Sequence, residues 1–384
     1  MDRYLKMFFN VLRNVTIPFF NFLILLIGVR IYGKENWGQF INISIWIYFV
    51  VFIAKWAGQN YIIKEFSQKP SKIYTIFYSN FIERSFFLSL SFFFFFLFPT
   101  KIAIASMILL ILIHVYNSFD ALIIYHQKFH IQFITETMGA LIIVGYIISC
   151  PKFDLQLLVY LFSLSFLVKI IILTIQFKLP FKKFELQFST QNLYTSFPFF
   201  LIGFSGWLSS KIDVYVVSYY FSKEELSGYQ LLITAFSMLQ AFSVYLITPF
   251  NKHLFRLSKT TIKKINTKMA IIAFPIVISA TIFIWLILEK IIHLGFPFYF
   301  YLTGGCSAIP MFYYIIDVMQ LYRNNKERSI VKISFVLIFI NLILMVVLIP
   351  FFGILGVLLS VCLSQWFYLF IIKIELHRKK LFIQ

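Results

Sequence analysis

The chain has 384 residues, of which 60% are hydrophobic and 13% are charged, and its formal net charge is +19. Soluble domains contain about 25% charged and about 45–50% apolar residues, so this composition excludes a single water-soluble core and predicts an integral membrane protein. The basic residues are spread over short segments that suit anionic lipid, which argues against a nucleic-acid partner. Cys150, Cys306 and Cys362 are scattered, and their spacing predicts neither a disulfide nor a metal site.

Apolar stretches of about 20 residues, the length that crosses a bilayer as a helix, follow one another along the chain. The first continues to Ile31 without a small-residue cleavage site, so we interpret it as a permanent span and not as a signal peptide. The weakest predictions are the fifth span, which contains Glu136, and the seventh, which contains Lys211 and Asp213. The sequence predicts an all-α membrane protein with about twelve transmembrane helices, at residues 10–31, 38–58, 76–98, 102–124, 131–149, 155–177, 194–217, 227–249, 268–290, 298–321, 331–349 and 353–373.

The Lys and Arg residues are distributed unevenly between the short loops. Most of the 34 lie near the two ends of the chain or in loops that follow even-numbered spans, such as the basic loop at residues 250–267. Loops that follow odd-numbered spans contain few, among them Lys34 and Lys223. Because Lys and Arg are retained on the cytoplasmic side, both termini are predicted to be cytoplasmic.

Two pairs of short sequences, half a chain apart, resemble each other. YGKENWGQF (residues 32–40) links spans one and two, and FSKEELSGYQ (residues 221–230) links spans seven and eight. At the ends of spans four and ten the same pattern, Y-x3-D-x4-Y, surrounds Asp120 and Asp317. Two echoes at matching places predict that the protein arose by duplication of a six-helix lobe.

The duplication predicts an N-terminal six-helix lobe at residues 1–182 and a C-terminal one at residues 183–384. Because six is an even number, both lobes begin on the same side of the membrane and are parallel repeats. Transporters with such repeats bind substrate between them and alternate access by rocking one against the other. The pattern therefore predicts a carrier and not an enzyme.

The residues around these loops resemble the Wzx-type polysaccharide or O-antigen flippases of the MOP (MATE-like) exporter superfamily. In GVRIYGKENWGQF, Arg30, Gly33, Gly38 and Phe40 match an R-x-x-G…G-x-F junction of that family. The stretch GWLSSKIDVYVVSYYFSKEELSGYQLLITAF has an acid, Asp213, near the end of span seven, then a short loop and Gly-Tyr at the start of span eight. The resemblance covers the whole chain in span number and repeat layout.

The resemblance implies a MOP fold in the bacterial inner (cytoplasmic) membrane. It implies translocation of undecaprenyl-pyrophosphate-linked oligosaccharide units from the cytoplasmic to the periplasmic leaflet, for assembly of O-antigen lipopolysaccharide or capsule. The implied partners are this lipid-linked oligosaccharide, membrane lipid, and the glycan polymerase and other assembly proteins. No cofactor is implied, while H⁺ or Na⁺ is a candidate coupling ion.

Basic residues inside spans are functional candidates because a charge in the membrane is costly. A lipid-linked pyrophosphate needs a hydrated, cationic cavity, and the candidates for its lining are Lys169, Arg84, Arg30, Lys211 and Lys55. A structural interpretation stands beside this one for three of them. Lys169 can extend its stem toward the inner surface, and Arg84 and Lys55 lie near cytoplasmic span ends, where basic residues are common.

Three acids are candidates for gating or ion coupling: Asp213, Asp120 and Asp317. Asp213 corresponds to the acid of span seven in the resembled family, and the alternative is a plain acid near a helix end. Asp120 and Asp317 occupy equivalent places near the inner ends of spans four and ten. We expect them to hold a cytoplasmic gate to a Lys or Arg.

Two other functions stay open. A MATE-type, cation-coupled multidrug exporter of the same superfamily would have an acid in span one or span seven. Asp213 fits that pattern, whereas span one contains Asn14 and Asn21 but no acid. A membrane polymerase or ligase of the same glycan pathway would need a large periplasmic loop, and the outer loops predicted here contain only a handful of residues.

Overall fold

A computed structural model describes residues 3–56, 58–179, 190–247, 259–323 and 326–377. The residues divide into two compact units, Met1–Phe204 and Ser205–Gln384. The predicted lobe boundary at residues 182 and 183, and the predicted basic loop as far as residue 258, lie outside the described residues. The boundary between the six-helix lobes therefore stays a prediction.

Helices make up nearly all of the described part of unit 1. Several predicted spans are formed by two or more shorter helical segments that follow each other directly. The helices are α1 (Arg3–Tyr32), α2 (Lys34–Lys55), α3 (Gly58–Gln68), α4 (Ile73–Ser85), α5 (Phe94–Leu97), α6 (Thr100–Ser118), α7 (Asp120–Tyr125), α8 (Phe129–Ser149) and α9 (Leu155–Phe177). The helix α10 (Thr190–Ser209) begins in unit 1 and contains the last residues of that unit.

Unit 2 is helical throughout its described residues as well. Its helices are α11 (Ile212–Tyr220), α12 (Lys223–Ile247), α13 (Lys259–Trp285), α14 (Phe298–Arg323), α15 (Glu327–Phe352) and α16 (Ile354–His377). A π-helical segment, Leu286–Ile291, continues α13. The prediction of an all-α fold is thus confirmed.

Ten helical segments of the described residues are long and apolar enough to cross a membrane, which makes the chain a multi-pass membrane protein. They correspond to the predicted spans one to six and nine to twelve. The seventh predicted span is broken at Ser210 and Lys211 into α10 and α11, and the eighth is α12. The break falls at the polar run Ser209–Asp213. Asp213 lies in the first turn of α11, where a carboxylate favours a new helix start.

The two echoed loops both lead into a helix at the Lys of their Lys-Glu pair. Gly33 has φ +82°, a conformation that a side chain rarely adopts, and α2 begins at Lys34 directly after it. Ser222 and Glu225 form a capping box at the start of α12: the Ser222 N–H donates to Glu225 (3.0 Å), and the Glu225 N–H donates to the Ser222 hydroxyl (3.2 Å). The similar sequences therefore begin helices at equivalent places.

The pattern of neighbouring helices repeats between the units. In unit 1, α6 packs against α2 and α9, and α8 packs against α9. In unit 2, α14 packs against α12 and α16, and α15 packs against α16. These are the same pairs by span order: four with two and six, and five with six. The repeat that the echoed sequences predicted is present in the fold.

The third predicted span changes its helix type along its length. Between α4 and α5 the chain forms a 3-10 helix, Phe86–Phe93. Most of the Phe side chains of this stretch are exposed, as expected for a lipid-facing surface in a membrane protein. Most buried residues of the span lie in α4, where Phe77 and Tyr78 pack with Tyr116 and Phe119 in an apolar cluster.

Candidate functional site

Lys169 of α9, one of the two predicted cations that are buried in unit 1, is paired with an acid. Its ammonium lies 2.6 Å from Glu136 Oε2 of α8, and the Tyr116 hydroxyl of α6 donates to Glu136 Oε1 over 2.5 Å. The ammonium also lies 4.6 Å from the centre of the Phe166 ring. Lys169 is therefore neutralised inside unit 1, in contacts that join three helices.

A glycine provides the space for this ion pair. A methyl group added at Gly139 would lie 2.2 Å from Cε of Lys169, far inside van der Waals contact. Gly139 follows Glu136 by three residues, so both lie on one face of α8. The Lys169 side chain thus crosses α8 where that helix has no side chain and reaches the carboxylate one turn away.

The second buried cation, Arg84, has mainly neutral hydrogen-bond partners. Its Nη2 donates to Ser118 Oγ (3.1 Å), and its Nε points to the Asn80 carbonyl at 3.4 Å. The neighbouring Glu83 accepts from Asn192 of α10 (2.7 Å). Adjacent helix residues point in different directions, and here Arg84 and Glu83 have separate partners. Both side chains are buried in unit 1.

The third cation, Lys55, is the last residue of α2 and pairs with Asp120. The two charged groups are 3.3 Å apart, and Gln132 of α8 contacts the other Asp120 oxygen at 3.4 Å. Asp120 also acts electrostatically on Arg84. The expected contact of Asp120 with a Lys or Arg is therefore present, while its gating role stays a prediction.

These charged side chains all lie in unit 1, and together we call them the ionic network. It has three cations, Lys55, Arg84 and Lys169, and three acids, Glu83, Asp120 and Glu136. The formal charges balance, so the network is not a cationic surface as it stands. The sequence signal for this balance was Glu136, an acid inside a predicted span, whose partner the spacing alone does not reveal.

An aromatic stack holds the backbone next to Lys55. Trp56 follows α2 in the left-handed conformation (φ 33°, ψ 57°). Its ring stacks on Phe87 (4.6 Å between ring centres) and Phe200 (4.3 Å), and its indole N–H donates to the Leu193 carbonyl (3.1 Å). Contacts on both faces and at the edge of the ring fix this turn, an arrangement that the sequence did not indicate.

The other predicted cations are not part of the ionic network. Arg30 lies exposed in the last turn of α1, close to the start of α2. Lys55 lies at the opposite end of α2 from Arg30, because it is the last residue of that helix, whose 22 residues span about 33 Å at 1.5 Å per residue. Lys211 belongs to unit 2, at the break before α11.

Two predicted acids belong to unit 2. Asp213 is 3% exposed and accepts from the Tyr229 hydroxyl (2.7 Å), while its Oδ1 has no hydrogen-bond partner among the described residues. Asp317 accepts from Asn266 (3.0 Å) and has Lys373 and His377 in its electrostatic surroundings. Asp120 and Asp317 thus occupy equivalent places, but Asp120 has a direct ion pair with Lys55 and Asp317 has a direct hydrogen bond from Asn266.

Known structures share this arrangement of helices, although sequence comparisons find nothing. No protein-family model and no curated protein sequence matches the chain. A lipid II flippase, MurJ in an inward closed conformation, is 13% identical; the match covers 97% of this chain and 87% of that one, with a TM-score of 0.74. A multidrug-resistance MATE transporter in an inward-facing conformation is 11% identical over 94% and 96%, with a TM-score of 0.64.

The chain has the fold of the MOP exporter superfamily. A eukaryotic MATE transporter, 10% identical over 96% of this chain and 95% of that one, also matches with a TM-score of 0.58. At such identities the similarity concerns the fold. The fold predicted from the resemblance is confirmed, whereas the Wzx-type family is not identified by these matches.

The described residues of this MOP-fold chain contain no cluster of three or more His, Cys, Asp and Glu side chains that could hold a metal ion. The ionic network consists of charged groups that can exchange partners without making or breaking covalent bonds. Such a network can bind and release a charged group or hold helices together. The function of the network therefore depends on which of these charged groups can exchange partners.

Proposed function

We propose that this protein is a flippase that moves an undecaprenyl-pyrophosphate-linked oligosaccharide across the bacterial inner membrane by alternating access, for assembly of O-antigen or capsule. The observation that carries the proposal is the presence of Lys55, Arg84 and Lys169 within the helices of unit 1. Basic side chains inside the membrane are energetically unfavourable and are retained where they have a function. An anionic headgroup is the substrate chemistry that three such cations fit.

The charged residues of unit 1 suit the physical requirements for moving a lipid-linked oligosaccharide across a membrane. The pyrophosphate and sugars cannot enter hydrocarbon without losing hydration, because an unpaired charge in a medium of low dielectric costs many kcal/mol. The polyprenyl tail, in contrast, can remain in lipid throughout. The protein then has to supply counter-charges for the headgroup only, and a cation of the network that exchanges its acid partner for the headgroup would supply one.

The fold is compatible with this proposal. One of the matching structures is named a flippase of lipid II, so the MOP fold accommodates the flipping of a lipid substrate. Membrane lipid is the proposed medium for the tail, and a glycan polymerase and other assembly proteins are proposed partners downstream. The proposed role is translocation without bond making, so the protein is not an enzyme.

A second candidate function is cation-coupled drug export. Asp213 favours it, because a buried carboxylate whose Oδ1 has no hydrogen-bond partner in the described part of the chain can hold a proton or Na⁺. The MATE transporters that share the fold include one named for multidrug resistance. Coupling to H⁺ or Na⁺ through Asp213 is also compatible with a flippase, so this acid alone does not separate the two functions.

Deletion of the gene in its own host separates them. A flippase deletion is expected to abolish the surface glycan and to leave the lipid-linked intermediate on the cytoplasmic leaflet, out of reach of an externally added glycosidase. A plasmid copy of the native gene should restore the glycan, and Lys128→Gln, which changes a cation outside the network, should restore it equally. Unchanged glycan together with raised sensitivity to cationic drugs would instead favour the exporter.

A further inference from the structure

We propose that Lys55 is the cation that the anionic headgroup contacts, and that Asp120 is its resident counter-ion, displaced when a phosphate binds. This rests on the proposed function, since it assigns the headgroup of the flipped lipid to one place in unit 1. The ligand class is a phosphate or pyrophosphate. Arg84 supports this exchange without contacting the ligand.

Accessibility separates the three cations. The Lys55 side chain is 33% exposed, whereas that of Lys169 is 8% exposed and Arg84 is 2% exposed. A ligand that arrives through water or at the membrane surface can therefore reach the Lys55 ammonium directly. Reaching Lys169 or Arg84 would require the surrounding helices to separate first.

The geometry of the two ion pairs also distinguishes Lys55 from Lys169. Charge-assisted N–H···O bonds are usually about 2.7–2.9 Å long. The Lys169–Glu136 pair, at 2.6 Å, is at the short end and is supported by the Tyr116 hydroxyl. The Lys55–Asp120 pair, at 3.3 Å, is longer, and Gln132 approaches Asp120 only to 3.4 Å. Asp120 is thus the acid of the network that is held least tightly.

Arg84 reduces the electrostatic penalty that arises when Asp120 loses Lys55 as its partner. A carboxylate inside a protein that loses its cation leaves an uncompensated charge, which is destabilising. Asp120 already interacts electrostatically with Arg84, whose direct partners are the neutral Ser118 hydroxyl and the Asn80 carbonyl. When Lys55 turns to a phosphate, Asp120 keeps the electrostatic interaction with Arg84 and the hydrogen bond from Gln132.

Trp56 keeps Lys55 in place during such an exchange. The residue after Lys55 is fixed by two ring stacks and by the bond to the Leu193 carbonyl, so the Lys55 backbone position does not depend on Asp120. Only the flexible lysine side chain has to move from one oxygen ligand to another. A fixed backbone and a mobile ammonium suit a site that binds and then releases its ligand.

The test is binding of inorganic pyrophosphate to the full-length protein in lipid nanodiscs, measured by calorimetry. Lys55→Gln should weaken binding about tenfold or more, because it removes the charged contact. Lys55→Arg should bind within a few-fold of the native protein. Asp120→Asn should bind about tenfold more tightly, because the competing carboxylate is gone while the shape of the side chain remains. Lys128→Gln, a basic residue at the same end of unit 1 but outside the network, is the matched control.

Two results would overturn the assignment: native-like pyrophosphate binding by Lys55→Gln, or weaker binding by a folded Asp120→Asn. If Asp120→Asn does not accumulate, the Lys55 pair of variants decides, since Lys55 is the accessible member. Failure here is distinguishable from failure of the proposed function. A host deletion that loses its glycan while pyrophosphate ignores Lys55 rejects the site alone, and Lys55-dependent binding with an intact glycan rejects the flippase alone.

Discussion

Residue by residue, the ionic network shows what a sequence reveals about charges in a membrane protein. Lys169 and Arg84 stood out because basic residues are rare inside apolar stretches. The pairing of Lys169 with Glu136 was not evident from the sequence, because the two residues lie 33 positions apart on different helices. Gly139 carried no signal either, although the space it leaves admits the Lys169 side chain. The sequence thus identifies the charged residues that are unfavourable inside a membrane, while the packing of helices decides which of them neutralise each other.

The Lys169–Glu136 pair is expected to be primarily structural. Removing one partner of a buried ion pair costs about 3–5 kcal/mol, whereas replacing both by neutral groups of similar size is often nearly neutral. Glu136→Gln and Lys169→Met should therefore each lower the melting temperature in detergent clearly, and the double variant should recover most of the loss. Lys128→Met controls for removal of a lysine outside the network. Losses that simply add up in the double variant would show that the two side chains are not energetically coupled.

At the scale of elements, breaks and turns of helices were the features that the sequence did not predict. The hydrophobic pattern gave the spans, because about 20 apolar residues suffice to recognise one. It treated the third and seventh spans as single helices, whereas the structure has a 3-10 segment in one and a break at Ser210–Lys211 in the other. Such changes depend on local hydrogen bonding. In the 3-10 segment, for example, the Ser89 hydroxyl donates to the Phe86 carbonyl over 2.8 Å.

The start of α10 is joined to the rest of unit 1 by a small set of contacts. Asn192 donates to Glu83, the Trp56 indole donates to the Leu193 carbonyl, and Trp56 stacks on Phe200. These contacts bring residues just before and within the seventh predicted span into the unit that holds the second and third spans. No periodicity in the sequence indicates them, since each links residues more than 100 positions apart.

Trp56→Leu should therefore weaken unit 1 measurably. Each aromatic pair contributes about 0.5–1.5 kcal/mol beyond its buried area, and the bond to Leu193 contributes about 0.5–1.5 kcal/mol. The expected loss is about 1.5–4.5 kcal/mol, visible as a lower melting temperature of the protein in detergent. Trp366→Leu, at a tryptophan that is 41% exposed, should change the melting temperature much less. Equal effects of the two substitutions would contradict the role given to the stack.

For the whole molecule, the repeat is the feature that sequence and structure both support. Two short echoes predicted it, and the repeated pairs of neighbouring helices are present in both units. The distribution of function between the repeats was not predictable. The ionic network belongs to unit 1, whereas in unit 2 the equivalent acid Asp317 accepts from the amide of Asn266 on α13. Duplication preserves packing, because every helix needs its neighbours, but it leaves polar residues free to diverge.

The orientation of both repeats in the membrane is the prediction that remains to be measured. If they are parallel, the starts of α2 and α12 face the same, outer side. In a variant whose Cys150, Cys306 and Cys362 are replaced by Ala, a single cysteine at Glu35 or at Glu224, both exposed, should react with an impermeant maleimide in intact cells. A cysteine at the exposed Lys264 of α13 should react only after permeabilisation, because basic segments stay in the cytoplasm. Labelling of Glu35→Cys from one side and Glu224→Cys from the other would make the repeats inverted. It would also remove the basis for placing Lys55 and Asp120 on the cytoplasmic side, where a lipid-linked substrate is loaded.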